Sequence, residues 1–189
     1  MIETLLHYDE QLFLFLNNLG TPPWDEFWRI VTQKWSSAPL YAFLLFLVFK
    51  KFGLKATVIV VLCAAVMITA TDQLANLFKY ILFKRPRPCR EQELELLMRF
   101  VAEGCGRYGY FSAHAASSMA AAVFLGLLLK SYFKALPFVL LLWASVVAYS
   151  RIYLGVHYPL DIITGMFFGA WIGFGMLKVN TWAQGRFIS

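Results

Sequence analysis

Charge is scarce in this chain. Only 15% of its 189 residues are Asp, Glu, Lys or Arg, and they cluster between long apolar runs instead of alternating with them. That is how loops and membrane spans separate along a sequence. A hydrophobic content of 60% and a mean hydropathy of +0.62 exclude an ordinary soluble domain of this size. Basic residues are missing between Met1 and Leu16, where Glu3, Asp9 and Glu10 stand instead, so no secretory signal peptide is expected there. Basic runs interleaved with aromatics are also missing outside one segment, so the net charge of +6 does not point to nucleic acid. Cysteine is too sparse, at three residues, to carry more than a weak redox signal.

What remains is apolar sequence in long pieces. A bilayer offers no water to backbone amides, so spanning runs must be helices or barrel strands, and runs near 20 residues are too long for strands of roughly 10. The expected fold is all-α: one integral-membrane helical bundle over residues 1–189. Leu5, Leu6, Leu12, Phe13, Leu16 and Leu19 make an apolar stripe opposed by Asp9, Glu10 and Asn17, which predicts an N-terminal amphipathic helix in the membrane interface. Gly20 to Pro23 ends it, and Trp24, Phe27, Trp28 and Trp35 supply an aromatic belt. Five apolar runs follow: about Ala38 to Phe49, Leu54 to Phe78, Ala115 to Leu129, Phe133 to Ala148 and Leu160 to Leu177. The first needs a helix starting near Trp28 to reach spanning length. Five transmembrane helices are expected, or six if the amphipathic start crosses.

With five spans, Lys50, Lys51, Lys55, Lys130, Lys134, Lys178 and Arg186 share one face, which the positive-inside rule makes cytoplasmic. The opposite face holds the stretch from Lys79 to Ser112, with seven of the 17 basic residues. It is just as basic, so the rule decides the orientation only if that cluster has another purpose.

Three polar segments abut span ends on that face. In the last, Pro159 suits the first turn of a helix, so the final span should begin near Tyr158, and the spacing of four lets Asp161 face back to His157. A carboxylate on one ring nitrogen fixes the tautomer and raises the basicity of the other, which is then free to attack an electrophile. Alone, this pair also fits a capped helix beside a stray interfacial histidine. Arg151, Lys79, Arg85 and Arg87 concentrate cations nearby, and guanidinium groups suit phosphate oxygens. A juxtamembrane cluster touching anionic headgroups is the plainer account, but it leaves the histidines unexplained. Ser112 and Ala113 precede His114 at a helix start, where free amides and the helix dipole attract anions. There His114 could protonate a leaving oxygen.

Together these segments resemble the type 2 phosphatidic acid phosphatase superfamily, which also contains vanadium haloperoxidases. Its pattern is K-x6-R-P, then P-S-G-H, then S-R-x5-H-x3-D. The third element matches at every fixed position from Ser150 and Arg151 through His157 to Asp161, and the second appears as Phe111-Ser112-Ala113-His114. The first departs from the pattern: Lys79 lies eight residues before Arg87 and six before Arg85. Lys84 is a less well spaced substitute, Arg87-Pro88 is the better Arg-Pro pair, and a helix bulge before Arg85 would absorb a residue. The resemblance implies a phosphohistidine intermediate at His157, oriented by Asp161, and protonation of the leaving group by His114. It further implies phosphate held by Lys79, Arg87 and Arg151 beside Ser112 and Ala113, with no metal and no cofactor. Expected substrates are undecaprenyl diphosphate, lipid A, phosphatidylglycerol phosphate or phosphatidic acid, and the compact build favours the first two. The site would face the extracytoplasmic side of a bacterial inner membrane.

Other features are less specific. Asp72, Asn76 and Lys79 share a helix face, so Asp72 is either a support for the site or a plain polar contact. Gly165, Gly169 and Gly173 form a small-residue face for close helix packing, within one chain or between two. Cys89 and Cys105 could bridge on an oxidising face, while Cys63 lies inside a span. His7 has no neighbouring carboxylate spacing or cation cluster. The rivals are a transporter or flippase for an anionic lipid, which would not require paired histidines with a following acid, and an inactive interaction protein, against which the intact His114, Arg151, His157 and Asp161 argue. Membrane lipids are the expected surroundings, and no oligomeric state follows from the sequence.

Overall fold

The computed structural model describes residues 2–33 and 35–188. Among them are six α-helices: α1 (Ile2–Asn18), α2 (Asp25–Thr32), α3 (Ala38–Leu77), α4 (Ala113–Leu129), α5 (Leu136–Tyr153) and α6 (Pro159–Phe187). Three helical stretches are long and apolar enough to cross a membrane, namely Ala38–Leu82, Leu136–Tyr153 and Pro159–Phe187, and α4 is a shorter apolar helix.

A straight α3 of 40 residues would reach about 60 Å, twice the hydrocarbon thickness of a bilayer. It folds back instead. Gly53 adopts φ 78° and ψ 179° inside it, a conformation open to glycine because it has no Cβ. Just before it, Phe52 packs on Tyr132 and Lys51 lies over the same ring, at the end where α4 passes into α5. Farther back, Tyr41 packs on Trp143 in the middle of α5. Past the far end, Lys79 comes within electrostatic reach of Arg151, whose guanidinium also bonds Thr32 of α2. The two apolar runs of the sequence are thus two antiparallel arms.

The helix expected from Trp28 into the first arm does not form. Gln33 turns extended after α2, the Ser36 hydroxyl donates to the Gln33 and Val31 carbonyls, and a new helix starts at Ala38 with proline in its first turn. Local side-chain bonding to the backbone has outcompeted helix continuation.

Helix α4 is the centre of the bundle. Five of its eleven buried residues are alanine, and α6 lays its glycines along this helix: a Cβ on Gly165, Gly169 or Gly173 would meet the Ser112, Ala116 or Ala120 carbonyl oxygen at 2.6, 2.2 and 2.4 Å. The glycine face therefore serves packing within this chain. Large apolar side chains such as Leu62, Val66, Phe138, Leu142, Phe167 and Trp171 point outward, a distribution suited to lipid.

Helix α1 forms as an amphipathic helix and turns polar residues, not its leucines, toward the bundle. Its inward stripe is Asp9, Phe13 and Asn17, while Leu5, Leu12 and Leu19 are exposed. In lipid an exposed leucine costs nothing, whereas a polar group needs a partner. Asn17 finds several: its amide nitrogen donates to the Arg99, Ile152 and Tyr153 carbonyls, each at 3.0 Å, and its oxygen accepts from Arg99 N–H at 2.7 Å.

Candidate active site

Three chain segments converge at the end of the bundle where α5 stops and α6 starts. Tyr158 is extended and Pro159 opens α6, as the sequence pattern predicts. Asp161 then sits in the first turn. Its Oδ2 lies 3.1 Å from His157 Nδ1 and accepts from Tyr158 N–H at 3.1 Å. His157 and Asp161 are both buried. The carboxylate engages Nδ1 and leaves Nε2 as the nitrogen with lone-pair character. Burial holds the His157 pKa well below the ordinary histidine value, and the cations Arg87, Arg151 and Lys79 reinforce this, against a smaller opposite effect from the Gly109 backbone. The imidazole is kept neutral, the form in which its free ring nitrogen retains a lone pair.

The start of α4 is tied to this turn. Ser112 N–H donates to the Asp161 carbonyl at 3.1 Å, and the Ser112 hydroxyl accepts from Ala115 N–H at 3.4 Å, capping the helix. Ala113 and His114 follow in the first turn of α4, both half-buried. The Gly165 contact with Ser112 and Ala115 presses this turn against α6, so the two histidines sit at adjoining helix starts.

The cations come from three elements. Arg151, in the last turn of α5, is held by the Thr32 hydroxyl, and its Nε is buried without a hydrogen-bond partner among the described residues. Arg87 donates from Nε to the Tyr108 carbonyl at 3.0 Å. Lys79 is buried in a π-helical turn, Phe78–Leu82, and has Arg87, Arg151 and Asp161 within electrostatic reach. The π turn widens the helix by one residue where the Lys-to-Arg spacing is one too long. Repulsion among three neighbouring cations is what a bound anion of multiple charge relieves.

The basic residues from Arg85 to Arg90 spread over different surroundings. Arg85 turns away, donating to Asp9 Oδ2 at 2.7 Å, with Asp161 Oδ1 at 3.6 Å and the Tyr158 ring 3.8 Å below. Arg90 donates to the Cys105 carbonyl and borders an open groove of about 640 Å³ with Lys84, Pro86, Arg107 and Tyr108. Lys84 is thus outside the cation group of Lys79, Arg87 and Arg151. A second groove, about 280 Å³, runs along Cys89 to Phe100. Neither groove contains a catalytic-type histidine, so chemistry and not cavity size identifies the site. Asp72, for its part, is exposed and accepts from Asn76 at 3.2 Å. It reaches Lys79 through charge alone, because a residue seven positions away on a helix lies about 10 Å along its axis.

Cys89 and Cys105 are joined by a disulfide, Cα to Cα 6.2 Å, and Cys63 is a buried free thiol. The bridge closes the loop that brings Arg87 beside the strand-like Pro86 and Tyr108 pairing. The roles of Asp9 and Thr32 are not legible in the sequence. Asp9 looked like the polar side of an interfacial helix, and Thr32 carries no pattern at all.

Comparison with known proteins accords with this geometry. Residues 58–184 match the PAP2 superfamily. The chain is 36% identical over 177 residues to the lipid A 4'-phosphatase of Bacteroides thetaiotaomicron, covering 91% of this chain and 78% of that protein. It is 30% identical to the lipid A 4'-phosphatase of Porphyromonas gingivalis, over 99% of this chain and 79% of that protein. In three dimensions it resembles the transmembrane PAP2 type phosphatidylglycerolphosphate phosphatase of Bacillus subtilis, with TM-score 0.74 and 16% identity over 94% of this chain and 87% of that one. It also resembles Aquifex aeolicus LpxE, with TM-score 0.65 and 24% identity over 89% and 93%. A match spanning most of the chain, joined to a helix bundle that turns its apolar side chains outward, leads to one assignment: the chain belongs to the PAP2 superfamily and is a membrane lipid phosphatase.

Proposed function

We propose that this phosphatase removes the 4'-phosphate of lipid A, with His157 as nucleophile. The observation that carries the chemistry is the buried His157–Asp161 pair, 3.1 Å apart, among Lys79, Arg87 and Arg151. The substrate assignment is supported by the two lipid A 4'-phosphatases, which are similar along nearly the whole chain. The similarity to an undecaprenyl-diphosphatase of Sulfolobus acidocaldarius spans 39% of the chain and makes that lipid the comparison substrate.

In this reading Lys79, Arg87 and Arg151 hold the three non-bridging oxygens, assisted by the amides that open α4 at Ser112 and Ala113. Nε2 of His157 forms a bond to phosphorus as the bond from phosphorus to the sugar oxygen breaks, and His114 delivers a proton to that leaving oxygen. Asp161 stabilises the ring as it gains positive charge. Water then attacks the phosphohistidine, His114 takes its proton, and inorganic phosphate leaves with His157 restored. No metal enters this scheme, in which the fixed cations meet the charge of the phosphoryl group.

If α3 is counted as two arms and α4 as a span, the five-span reading has the site and the Cys89–Cys105 disulfide on one face and Lys51, Lys130, Lys134 and Lys178 on the other. A bridged cysteine pair fits an oxidising, extracytoplasmic compartment, and the lysine-rich end fits the cytoplasm.

The test is phosphate release by detergent-purified protein from a lipid panel in chelator, with the product of lipid A fragmented by mass spectrometry to locate the lost phosphate. Lipid A should lose its 4'-phosphate, vanadate should inhibit, and His157→Ala should reduce turnover by several powers of ten, on the order of other nucleophile deletions. Retained turnover in that variant would overturn the nucleophile, and preference for undecaprenyl diphosphate would overturn the substrate.

A further inference from the structure

Behind the His157–Asp161 pair stands a second layer that the reaction scheme does not use. Arg85 Nη1 lies between two carboxylates, 2.7 Å from Asp9 Oδ2 and 3.6 Å from Asp161 Oδ1. The hydrogen bond goes to Asp9, so Asp161 receives only the charge of the arginine and keeps its other oxygen on His157. Asp161 Oδ1 has no hydrogen-bond donor among the described residues. The remaining oxygen of Asp9 accepts from Leu160 N–H at 2.8 Å, one of the amides that a helix start leaves unsatisfied. Asp9 is buried and therefore acts at low dielectric, where such pairs are strong.

We propose that Asp9 of α1 is a positioning residue for the phosphoryl transfer: by holding Arg85 it keeps that guanidinium off Asp161 and so keeps the Asp161 carboxylate on His157. The proposal rests on His157 being the nucleophile. Without the Asp9 charge, Arg85 has one carboxylate left and closes the 3.6 Å gap, drawing Asp161 away from the ring. The imidazole then loses its orientation and the counter-charge for its developing cation. The charged groups facing His157 are Arg87 from the loop, Arg151 from α5, Lys79 from the π turn and Asp161 from its own helix, and α1 adds its charge through Arg85.

A merely structural role, docking α1 to the bundle, is separable because Asn17 docks the same helix through four hydrogen bonds away from Arg85. Asp9→Asn keeps an acceptor for Leu160 N–H and removes only the charge. The experiment measures phosphate release by the full chain in detergent, on whichever panel lipid the wild type turns over, for Asp9→Asn, Arg85→Met, the double variant and Asn17→Ala. Asp9→Asn should lower kcat about 10- to 100-fold with KM little changed, the usual scale for partners one layer behind a reacting or liganding histidine. The acid limb of its kcat/KM profile should move to lower pH, because a net positive charge is added near the ring. In the Arg85→Met background the same substitution should have almost no further effect, the mark of two residues acting through one another. Asn17→Ala should lower the unfolding temperature and leave the acid limb in place. If Asp9→Asn folds poorly because it strands a buried cation, the double variant removes that cation, and its comparison with Arg85→Met still decides. An unchanged kcat, a loss confined to KM, or an equal loss in the Arg85→Met background would overturn the proposal. Activity surviving in His157→Ala is a different result, and it would remove the reading on which the proposal stands.

Discussion

Gly165→Ala adds a single methyl group, and it lands where α6 meets the start of α4. The new Cβ would lie 2.6 Å from the Ser112 carbonyl oxygen and 3.3 Å from the Ala115 Cβ, against an ordinary contact beginning near 3.4 Å. Backbone cannot swing aside as a flexible side chain does, so the two helix starts must part by about 0.8 Å, the difference between 2.6 and 3.4 Å. Those starts carry His114 and His157, and a displacement near 1 Å at reacting groups can cost about 100-fold in rate. Overpacking itself should cost about 1–3 kcal/mol of stability. Gly173→Ala is the matched control: its Cβ would meet the Ala120 oxygen at 2.4 Å, two turns deeper, so it should destabilise the bundle comparably while sparing most of the activity. Gly175, with nothing within 4 Å, should accept alanine silently. The assay is phosphate release at saturating lipid alongside thermal unfolding in the same detergent. Wild-type turnover in Gly165→Ala, or equal losses in Gly165→Ala and Gly173→Ala, would refute the claim that this glycine sets the distance between the histidines.

Two further outcomes follow from the site and its loop. Burial and three cations hold the His157 pKa below its ordinary value of 6.5, so the acid limb of kcat/KM should fall below that pH, and a limb at or above it would contradict the neutral nucleophile. The same group has a pKa in the folded state below its unfolded value, so its contribution to stability is present above about pH 6.5 and is lost as pH falls through the folded value. Replacing Cys89 and Cys105 by alanine opens a loop with a sequence separation of 16. This should lower stability by about 3 kcal/mol with turnover retained at low temperature, whereas free thiols in the native protein by mass analysis would remove the bridge.

The helix content was legible because lipid admits few alternatives. Apolar runs near spanning length must be helical, and Pro159 after Tyr158 marks the start of α6 as soon as it is read. The third motif was legible for a similar reason: His157 and Asp161 lie four apart on one short segment, so local geometry alone brings them together. Contacts between distant segments were not legible in this way. Arg85 and Arg87 differ by two positions in a proline-punctuated loop, and nothing local says that Arg87 turns toward Lys79 and Arg151 while Arg85 turns to Asp9.

Helix α1 shows the limit most plainly. Its stripe of leucines suggested a helix lying in the membrane interface, but nothing in that stripe says what faces the bundle. Lipid accepts leucine, whereas Asp9 and Asn17 need partners in the protein, and those partners lie on segments distant in sequence. The sequence by itself determined the helices, the membrane setting and the His157–Asp161 pair, all of which follow from spacing within one segment and from what hydrocarbon excludes. The tertiary structure alone decided which cations surround the ring, that Gly53 reverses α3, and that Asp9 stands behind the dyad, because each depends on contacts between residues distant in sequence.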